Sequence, residues 1–377
     1  MTTTFYLPTN AAAALLPVQH GALDYAELEA LGLDPDAVVD FSSNSNPYAP
    51  HPAVVSAVRA AANDRALARY PDRETLHLCR AIAQADGYPP DHVLAVNGAA
   101  EAIQIVALTC VAPGSRHLIL TPTFGEYARA IRLARGYVYE ACATGPDLRH
   151  TVEQVYATVC ELHPHAVWLC NPNNPTGQFW TTEQLAALRA AAPHALWIID
   201  EAYRHFSPRS ALVPNAWLES GMVVLVRSLT KDHGLAGLRL GYILAAPPLI
   251  AAMRFMQPPW SVNSLAQAAG IAALQPELAA WLGRSLAELR RHAHALWAGL
   301  NTLGLRVLPT ATTYALVAAG HGASFRRSLL ARGIQVRDAA SFGLPAYVRI
   351  AARTPEDNLR LLQTISAIGT RGESNHV

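Results

Sequence analysis

Lysine is nearly absent from this sequence, and the one lysine that it contains can do chemistry that arginine cannot. Of the 29 basic residues, Lys231 is the single lysine and all the others are arginine. Arginine replaces lysine in surface charge and ion pairs, but it does not lose its proton to become a nucleophilic amine. A coding bias explains the depletion without explaining the survivor, and chance survival is the alternative. We interpret Lys231 as an amine that forms a Schiff base with a carbonyl group.

A second group of residues could bind an anion beside this lysine. The apolar run Val93–Val96 leads into a turn of small residues and then into a helix that begins near Glu101. The free N–H groups at the start of such a helix form an anion site. A turn of this kind is common and is weak evidence alone, but two side chains near the lysine could complete a phosphate site. These side chains are Ser228 and Arg239, and the turn of small residues is Asn97–Ala100.

A carboxylate ends another apolar run at Asp200. Burying a carboxylate is costly without a cationic partner, and a protonated pyridine nitrogen would be such a partner. A helix N-cap aspartate is the alternative for this position. Asn174, in an Asn-Pro-rich stretch, and Tyr203 both offer hydrogen bonds that suit a phenolic ring oxygen. The alternative for the Asn-Pro-rich stretch is an ordinary tight turn.

The elements that position these residues alternate between short apolar strands and Ala-rich amphipathic helices. This rhythm predicts an α/β fold, with a mostly parallel central sheet covered by helices on both faces. Ligands bind at the carboxyl ends of such strands, and nearly every predicted strand ends in a polar residue or glycine. The predicted strands are His92–Val96, His117–Leu120, Ala166–Cys170, Leu196–Ile199, Met222–Arg227 and Leu240–Leu244, and the clearest helices are Glu101–Cys110 and Thr182–Ala191.

The rhythm changes after Pro259. A long helical region over 265–300 is followed by shorter strands over 314–317 and 347–351. This change predicts a smaller α+β domain at the C-terminus. We therefore predict three parts, which are an N-terminal arm over 1–48, a large domain over 49–265 and a small C-terminal domain over 266–377.

The composition excludes several classes of protein. A net charge of +1 gives no electrostatic reason for a nucleic acid or a membrane surface to be the partner. The five cysteines show no C-x-x-C spacing, so neither a zinc site nor a disulfide framework is expected. We therefore expect a cytoplasmic location. The apolar run Ala11–Leu16 is too short for a signal peptide and has no basic residue before it.

The order of the motifs NNPTG, DEAY, SLTK and GLRLGY resembles fold-type-I pyridoxal-phosphate enzymes of the aminotransferase class I/II superfamily. The similarity extends from His20 to the C-terminal domain. It implies pyridoxal 5'-phosphate as cofactor, with Lys231 as the Schiff-base residue and proton shuttle. It also implies contacts to the pyridine nitrogen by Asp200, to the ring oxygen by Asn174 and Tyr203, to the ring face by Phe124, and to the phosphate by Ala99, Ala100, Ser228 and Arg239.

The resemblance further implies a homodimer with shared active sites. Tyr70, in the sequence Arg69-Tyr70-Pro71-Asp72, resembles the tyrosine that reaches the cofactor phosphate from the neighbouring subunit. Tyr70 is therefore expected to act in the site of the partner.

The C-terminal strands carry arginines that are expected to bind an anionic substrate. Arg349 and Arg337 lie on apolar segments, where a phosphate or a carboxylate is a natural partner. An ion pair within the domain is the alternative, and it is the preferred interpretation for Arg353. His20 and Asn44 could approach the same anion from the arm, and a buried structural histidine is the alternative for His20.

Two families within the superfamily are similar to this chain, histidinol-phosphate aminotransferases and L-threonine O-3-phosphate decarboxylases. The His20-Gly21 pair, the segment Asp40–Pro47 and the segment Pro259–Asn263 resemble the decarboxylases. Two departures are Ala22, where a second glycine is usual, and Asp232-His233, where an aromatic pair follows the lysine. We therefore predict a lyase that decarboxylates O-phospho-L-threonine to aminopropanol phosphate in cobalamin biosynthesis. The alternative is an aminotransferase of the histidinol-phosphate or aromatic amino acid type.

Overall fold

A seven-stranded sheet forms the centre of the protein in a computed structural model, which describes residues 18–209 and 213–372. The run Ala11–Leu16 lies outside these residues. Across all its sheets, the described part of the chain has the strands β1 (Val39–Asp40), β2 (Val93–Val96), β3 (Arg116–Thr121), β4 (Tyr137–Cys142), β5 (Ala166–Cys170), β6 (Leu196–Asp200), β7 (Val223–Ser228), β8 (Gly241–Leu244), β9 (Tyr314–Ala318), β10 (Ile334–Gln335), β11 (Arg337–Asp338) and β12 (Tyr347–Ala351).

The strand order of this sheet is β2-β8-β7-β6-β5-β3-β4. All neighbours from β7 to β4 pair in parallel, whereas β8 runs antiparallel to both β2 and β7. The predicted mostly parallel α/β sheet is therefore confirmed. Because β5, β6 and β7 are parallel neighbours, their carboxyl ends lie side by side at one edge of the sheet.

Helices cover both faces of the sheet. Along β2, Val93 and Ala95 pack into one apolar cluster while Leu94 and Val96 pack into another, as alternating residues on two buried faces must. The helices are α1 (Tyr25–Ala30), α2 (Pro52–Ala61), α3 (Asp64–Ala68), α4 (Leu76–Asp86), α5 (Gly98–Cys110), α6 (Glu126–Leu133), α7 (Val152–Leu162), α8 (Thr182–Ala191), α9 (Asn215–Glu219), α10 (Pro247–Met256), α11 (Ser264–Ala273), α12 (Pro276–Thr302), α13 (Gly322–Leu330) and α14 (Pro355–Gly372).

A smaller antiparallel sheet follows the long helix α12, with the strand order β11-β12-β9. Its register places Arg337 of β11 directly opposite Arg349 of β12. The N-terminal segment joins this part of the chain, because β1 pairs in parallel with β10. The domain boundaries at 48/49 and 265/266 remain predictions.

None of the helices within residues 18–209 and 213–372 combines the length and the apolar character that a membrane span needs.

Candidate active site

A cavity of about 270 Å³ lies beside the carboxyl ends of β5, β6 and β7. Residues from distant parts of the sequence line it, including the segment before β1 and the small C-terminal sheet. Every predicted site residue except Tyr70 lines this cavity: His20, Asn44, Ala99, Ala100, Phe124, Asn174, Asp200, Tyr203, Ser228, Lys231, Arg239, Arg337 and Arg349.

Lys231 follows β7 and is partly buried in the cavity. Burial lowers the pKa of its amine to about 8, and the positive charges of Arg349 and Arg239 act in the same direction. A lowered pKa increases the fraction of neutral, nucleophilic amine near neutral pH. The environment of Lys231 therefore suits attack on a carbonyl carbon.

Asp200 ends β6 in a buried position. Its Oδ2 accepts a hydrogen bond from the Tyr127 hydroxyl at 2.6 Å, and its Oδ1 accepts from the Ala202 N–H at 2.9 Å. Burial nevertheless raises its pKa to about 6. No basic side chain within residues 18–209 and 213–372 forms an ion pair with this carboxylate. A cationic ring nitrogen would supply the missing partner.

Asn174 and Tyr203 present donors to the same part of the cavity. The Asn174 Oδ1 accepts a hydrogen bond from Arg349 Nη1, which leaves its Nδ2 as a donor. Tyr203 is buried and packs edge-on against Tyr314, with ring centroids 5.0 Å apart. Burial raises the pKa of Tyr203 to about 12, so it remains a protonated donor at neutral pH. Two donors of this kind suit a phenolic oxygen.

The predicted phosphate site is a cradle at the start of α5. Gly98 has a positive φ of 77°, and a Cβ built there would lie 2.8 Å from Arg239 Nη2. The preceding Asn97 gives no side-chain hydrogen bond to the helix start, so its first N–H groups are free for an anion. The Ser228 hydroxyl lies 2.6 Å from Thr230 Oγ1 at the same place. The cradle therefore fits a phosphate group.

Arg337 and Arg349 stand side by side without a carboxylate partner among the described residues. Arg337 donates hydrogen bonds to the Gln19 carbonyl at 2.8 Å and to Ser341 Oγ at 2.6 Å. Burial lowers the pKa of Arg337 to about 10, and Arg349 adds to this effect. In Arg349, the buried Nε has no hydrogen-bond partner within the described chain. Two adjacent cations of this kind form an anion site.

Arg353 has a different environment. Its Nε donates to Asp357 Oδ2 at 2.8 Å, and its guanidinium lies over the Phe41 ring. The preferred interpretation of Arg353 as a residue of an ion pair within the domain is confirmed. Arg353 does not line the cavity.

His20 and Asn44 reach the cavity from the N-terminal segment. His20 is half-exposed, and its Nε2 lies 3.2 Å from Glu126 Oε1, so the interpretation as a buried structural histidine is wrong. Asn44 is buried, and its amide forms no hydrogen bond of normal geometry in the described part of the chain, although it lies close to the Tyr203 hydroxyl. A buried amide without a partner is costly, which favours a ligand at this position.

Tyr70 lies apart from the cavity of its own chain. Its side chain is 78% exposed and stacks on Trp260, with ring centroids 4.4 Å apart. Residues 259–263 do not line the cavity either. An exposed Tyr70 is compatible with a role in a second subunit, which remains a prediction.

Several residues of this site were not predicted from the sequence. Tyr127, the hydrogen-bond donor to Asp200, lies three residues after Phe124, in the first turn of α6. That spacing is the signal that could have indicated it. The cavity also includes Gln19, Gly21, Ser42, Ser43, Cys170, Ala202, Thr230 and Phe342.

The sheet, the lysine after β7 and the cradle at α5 define a fold-type-I pyridoxal-phosphate enzyme. The family model described as "Aminotransferase class I and II" matches residues 36–365. The chain belongs to this family. Pyridoxal 5'-phosphate is its cofactor, and the cavity supplies a lysine, a carboxylate and a phosphate cradle that fit it.

Individual relatives agree with the family. A histidinol-phosphate aminotransferase of Geobacillus thermodenitrificans is 34% identical over 87% of this chain and 89% of its own length. That of Symbiobacterium thermophilum is 35% identical over 88% of this chain and 90% of its own. The Sinorhizobium meliloti enzyme of this name, solved with pyridoxal-5'-phosphate, has a TM-score of 0.82 at 24% identity, covering 98% of this chain and 100% of its own. This last likeness shows the fold.

These relatives overturn the prediction of a decarboxylase. The L-threonine-O-3-phosphate decarboxylase of Porphyromonas gingivalis is also similar, with a TM-score of 0.76 at 25% identity, covering 87% of this chain and 98% of its own. The curated relatives at 34% and 35% identity are nevertheless histidinol-phosphate aminotransferases, so the lyase and cobalamin assignments were wrong. The physical reason is that the His20-Gly21 pair and Asn44 line the part of the cavity that would bind a phosphate, which both substrates carry, whereas Pro259–Asn263 does not line the cavity of its own chain.

Proposed function

We propose that this enzyme is an aminotransferase that acts on a phosphorylated substrate of the histidinol phosphate type, in histidine biosynthesis. The observation that carries the proposal is the pair Arg337 and Arg349, two cations that face the cavity beside Lys231 without a carboxylate partner among the described residues. A substrate with one carboxylate needs one arginine, whereas a phosphate dianion is bound well by two. The names of the relatives support the same substrate class.

The cofactor would be held by the residues that surround the cavity. Ala99, Ala100, Ser228 and Arg239 would bind its phosphate, and Phe124 would lie against the face of its ring. Asp200 would hold the proton on the ring nitrogen through a charge-assisted hydrogen bond. Asn174 Nδ2 and the Tyr203 hydroxyl would donate to the ring oxygen.

When bound, the cofactor supplies an electron sink for the bond that breaks at the substrate carbon bearing the amino group. Lys231 would take the proton from that carbon at Nζ and would deliver it to the carbon on the other side of the substrate nitrogen. A pKa of about 8 lies close to neutral pH, so that Lys231 can both accept and release a proton at little cost in free energy. In this role Lys231 is the catalytic acid and base.

The substrate phosphate would be bound at the other end of the cavity. Arg337 and Arg349 would supply charge-assisted hydrogen bonds, and the unpartnered amide of Asn44 would supply a further one. His20 would approach from the rim, where Glu126 holds it. Anchoring the phosphate would fix the rotation of the substrate, so that its C–H bond points to Lys231.

A direct assay tests the proposal. The purified holoenzyme is incubated with histidinol phosphate and 2-oxoglutarate, and glutamate is measured. We expect Arg337→Gln to raise the KM for histidinol phosphate by about tenfold to a hundredfold, because one hydrogen bond to a charged group contributes about 1.5–3 kcal/mol. Arg332→Gln is the control, because Arg332 is exposed and its side chain donates to the Ser328 carbonyl of the preceding helix α13.

Two further variants and substrates complete the test. Lys231→Arg keeps the charge and should lower kcat by about 10²–10⁴-fold, the contribution of a positioned acid and base. Equal turnover of unphosphorylated aromatic amino acids, with no effect of Arg337→Gln, would contradict the phosphorylated substrate. Arg349 alone would then bind a carboxylate.

A further inference from the structure

The two residues that follow Lys231 form a buried polar cluster outside the cavity. Asp232 is buried, and its Oδ2 lies 2.5 Å from His205 Nδ1. Its Oδ1 accepts the backbone N–H of His233 at 2.9 Å. Both carboxylate oxygens of Asp232 are therefore engaged, Oδ1 by the backbone of the next residue and Oδ2 by the side chain of His205.

The backbone of the same residues is held from the opposite side by Asn46. The N–H of Asn46 donates to the Lys231 carbonyl at 2.9 Å, and its Nδ2 donates to the Asp232 carbonyl at 3.1 Å. Asn46 Nδ2 also lies 3.0 Å from Ser285 Oγ in the long helix α12. Two consecutive carbonyls, one of them that of Lys231, are thus fixed to a buried side chain and a rigid helix.

His205 connects this cluster to Asp200. It lies in the short helical turn Arg204–Phe206 that follows β6, and its carbonyl accepts a hydrogen bond from Arg290 Nη1 at 3.3 Å. The Asp232–His205 contact therefore joins the loop after β6, which carries Asp200, to the loop after β7, which carries Lys231.

The contact joins opposite charges when His205 is protonated. Burial raises the pKa of Asp232, but His233, His205 and Arg204 together outweigh this effect and hold it at about 2. This ion pair is only partly buried, since His205 is 35% exposed, and such a pair contributes little to stability while the burial of Asp232 is costly. The better explanation for this pair is that it fixes the position of the neighbouring Lys231.

We infer that Asp232 and His205 are a positioning pair, which fixes the backbone position of Lys231 and thereby the direction of its side chain. The inference depends on the catalytic role proposed for Lys231. Neither residue lines the cavity, so the pair acts through Lys231 and not on the substrate. A displacement of a reacting group by about 1 Å can lower a rate by about a hundredfold.

The test compares two replacements of His205 in the holoenzyme. Asn places its Nδ2 at the same branch of the side chain as the histidine Nδ1 and can donate to Asp232, whereas Leu fills similar space without a donor. We expect His205→Leu to lower kcat by about tenfold to a hundredfold with an unchanged KM, and His205→Asn to restore most of it. His77→Leu is the control, because His77 is exposed on α4.

A second measurement needs no substrate. The visible absorbance of the bound cofactor is titrated with pH, and its midpoint reports the proton at Lys231 Nζ. We expect the midpoint to move in His205→Leu and to stay in His205→Asn and His77→Leu. An unchanged kcat and midpoint in His205→Leu, or equal losses in the Leu and Asn variants together with a lower Tm, would overturn the inference.

Borohydride reduction separates this inference from the proposed function. If borohydride fixes the cofactor to Lys231 in the wild-type protein and the His205 variants are unaffected, only the positioning pair fails. If borohydride labels no lysine, the role of Lys231 itself is wrong.

Discussion

Tyr127 shows how one hydroxyl group can set the charge of a buried carboxylate. Because burial raises the pKa of Asp200 to about 6, the protonated acid that forms below this pH cannot pair with a cationic ring nitrogen. Cofactor binding to the apoprotein should therefore weaken as the pH falls through about 6.

Tyr127→Phe tests this account. The variant removes the 2.6 Å hydrogen bond that stabilises the Asp200 carboxylate, so the midpoint should move to higher pH. Cofactor affinity near neutral pH should fall by about 1.5–3 kcal/mol, measured by titration of the apoprotein. Tyr156→Phe serves as the control, because Tyr156 is 46% exposed. An unshifted midpoint in Tyr127→Phe would show that the hydroxyl does not stabilise the charged form.

Ala22 occupies a backbone conformation that glycine prefers. Its φ is 128°, and its N–H donates to Ser42 Oγ at 2.9 Å, which holds it there. Such a conformation costs about 1–3 kcal/mol for a residue with a side chain. We expect Ala22→Gly to stabilise the protein by about 1 kcal/mol in urea unfolding, the gain being reduced by the greater freedom of glycine in the unfolded chain.

The same substitution at Ala26 provides the matched comparison. Ala26 lies exposed in α1, where glycine should cost about 1 kcal/mol. We expect the change in the free energy of unfolding to have opposite signs at the two positions. Destabilisation at both positions would show that Ala22 is not strained.

At the scale of single residues, the sequence predicts the role of those residues whose chemical type is unusual for their position. Lys231 is conspicuous as the single lysine, and Asp200 as a carboxylate that ends an apolar strand. Tyr127 could not be predicted with the same ease, because a tyrosine on an amphipathic helix is an ordinary core residue. Its role depends on the packing of α6 against β6, which only the tertiary structure gives.

At the scale of elements, a buried ion network joins α4 to β7 and β8 behind the active site. Asp86 at the end of α4 pairs with Arg227 and Arg204, each at 2.8 Å, and accepts the Tyr242 hydroxyl at 2.6 Å. Burial raises the pKa of Asp86, but Arg227 and Arg204 lower it by more, to about 2. The folded-state pKa is thus below the ordinary value of 3.8.

This shift predicts how acid unfolds the protein. A depressed carboxyl pKa stabilises the fold at pH values above the unfolded-state pKa, and the contribution of about 2 kcal/mol is lost as the pH falls from about 4 towards 2. Asp86→Asn should cost about 3–5 kcal/mol near neutral pH and should flatten this acid dependence. Asp147→Asn, in an exposed pair with Arg306, should cost less than about 1 kcal/mol. Equal effects in urea unfolding would contradict the account.

The bounds of strands that are buried on both faces could be predicted from the sequence to within about two residues, whereas an exposed strand could not be predicted. Ala166–Cys170 and Tyr347–Ala351 have the predicted bounds, because their apolar runs end at polar or small residues. Strand β4, Tyr137–Cys142, was missed. It lies at the edge of the sheet with most of its side chains accessible, so it lacks the apolar run that marks the inner strands.

At the scale of the whole molecule, exposed apolar side chains at Tyr70 and within residues 255–260 suggest a surface for a second copy. Phe255 is 88% exposed, and Trp260, which stacks on Tyr70, is 43% exposed. If Tyr70 completes the cofactor site of a partner subunit, mixing Tyr70→Phe and Lys231→Ala proteins should create dimers with one intact site. Activity should appear on mixing and subunit exchange, with the mass followed by light scattering. A monomer with normal cofactor affinity would refute the shared site.

Lys231 is also the one peptide position in the sequence that a lysine-specific endopeptidase can cleave, giving fragments 1–231 and 232–377. In the native protein this bond is protected, because the Lys231 carbonyl is bound by Asn46 and the chain on either side is hydrogen-bonded. Cleavage therefore requires local opening of the active-site loop, and its rate measures the free energy of that opening. A cofactor attached to the lysine removes the recognition element as well. Resistance to a single protease thus reports, without any substrate, how much of the enzyme is loaded and how tightly its catalytic loop is closed.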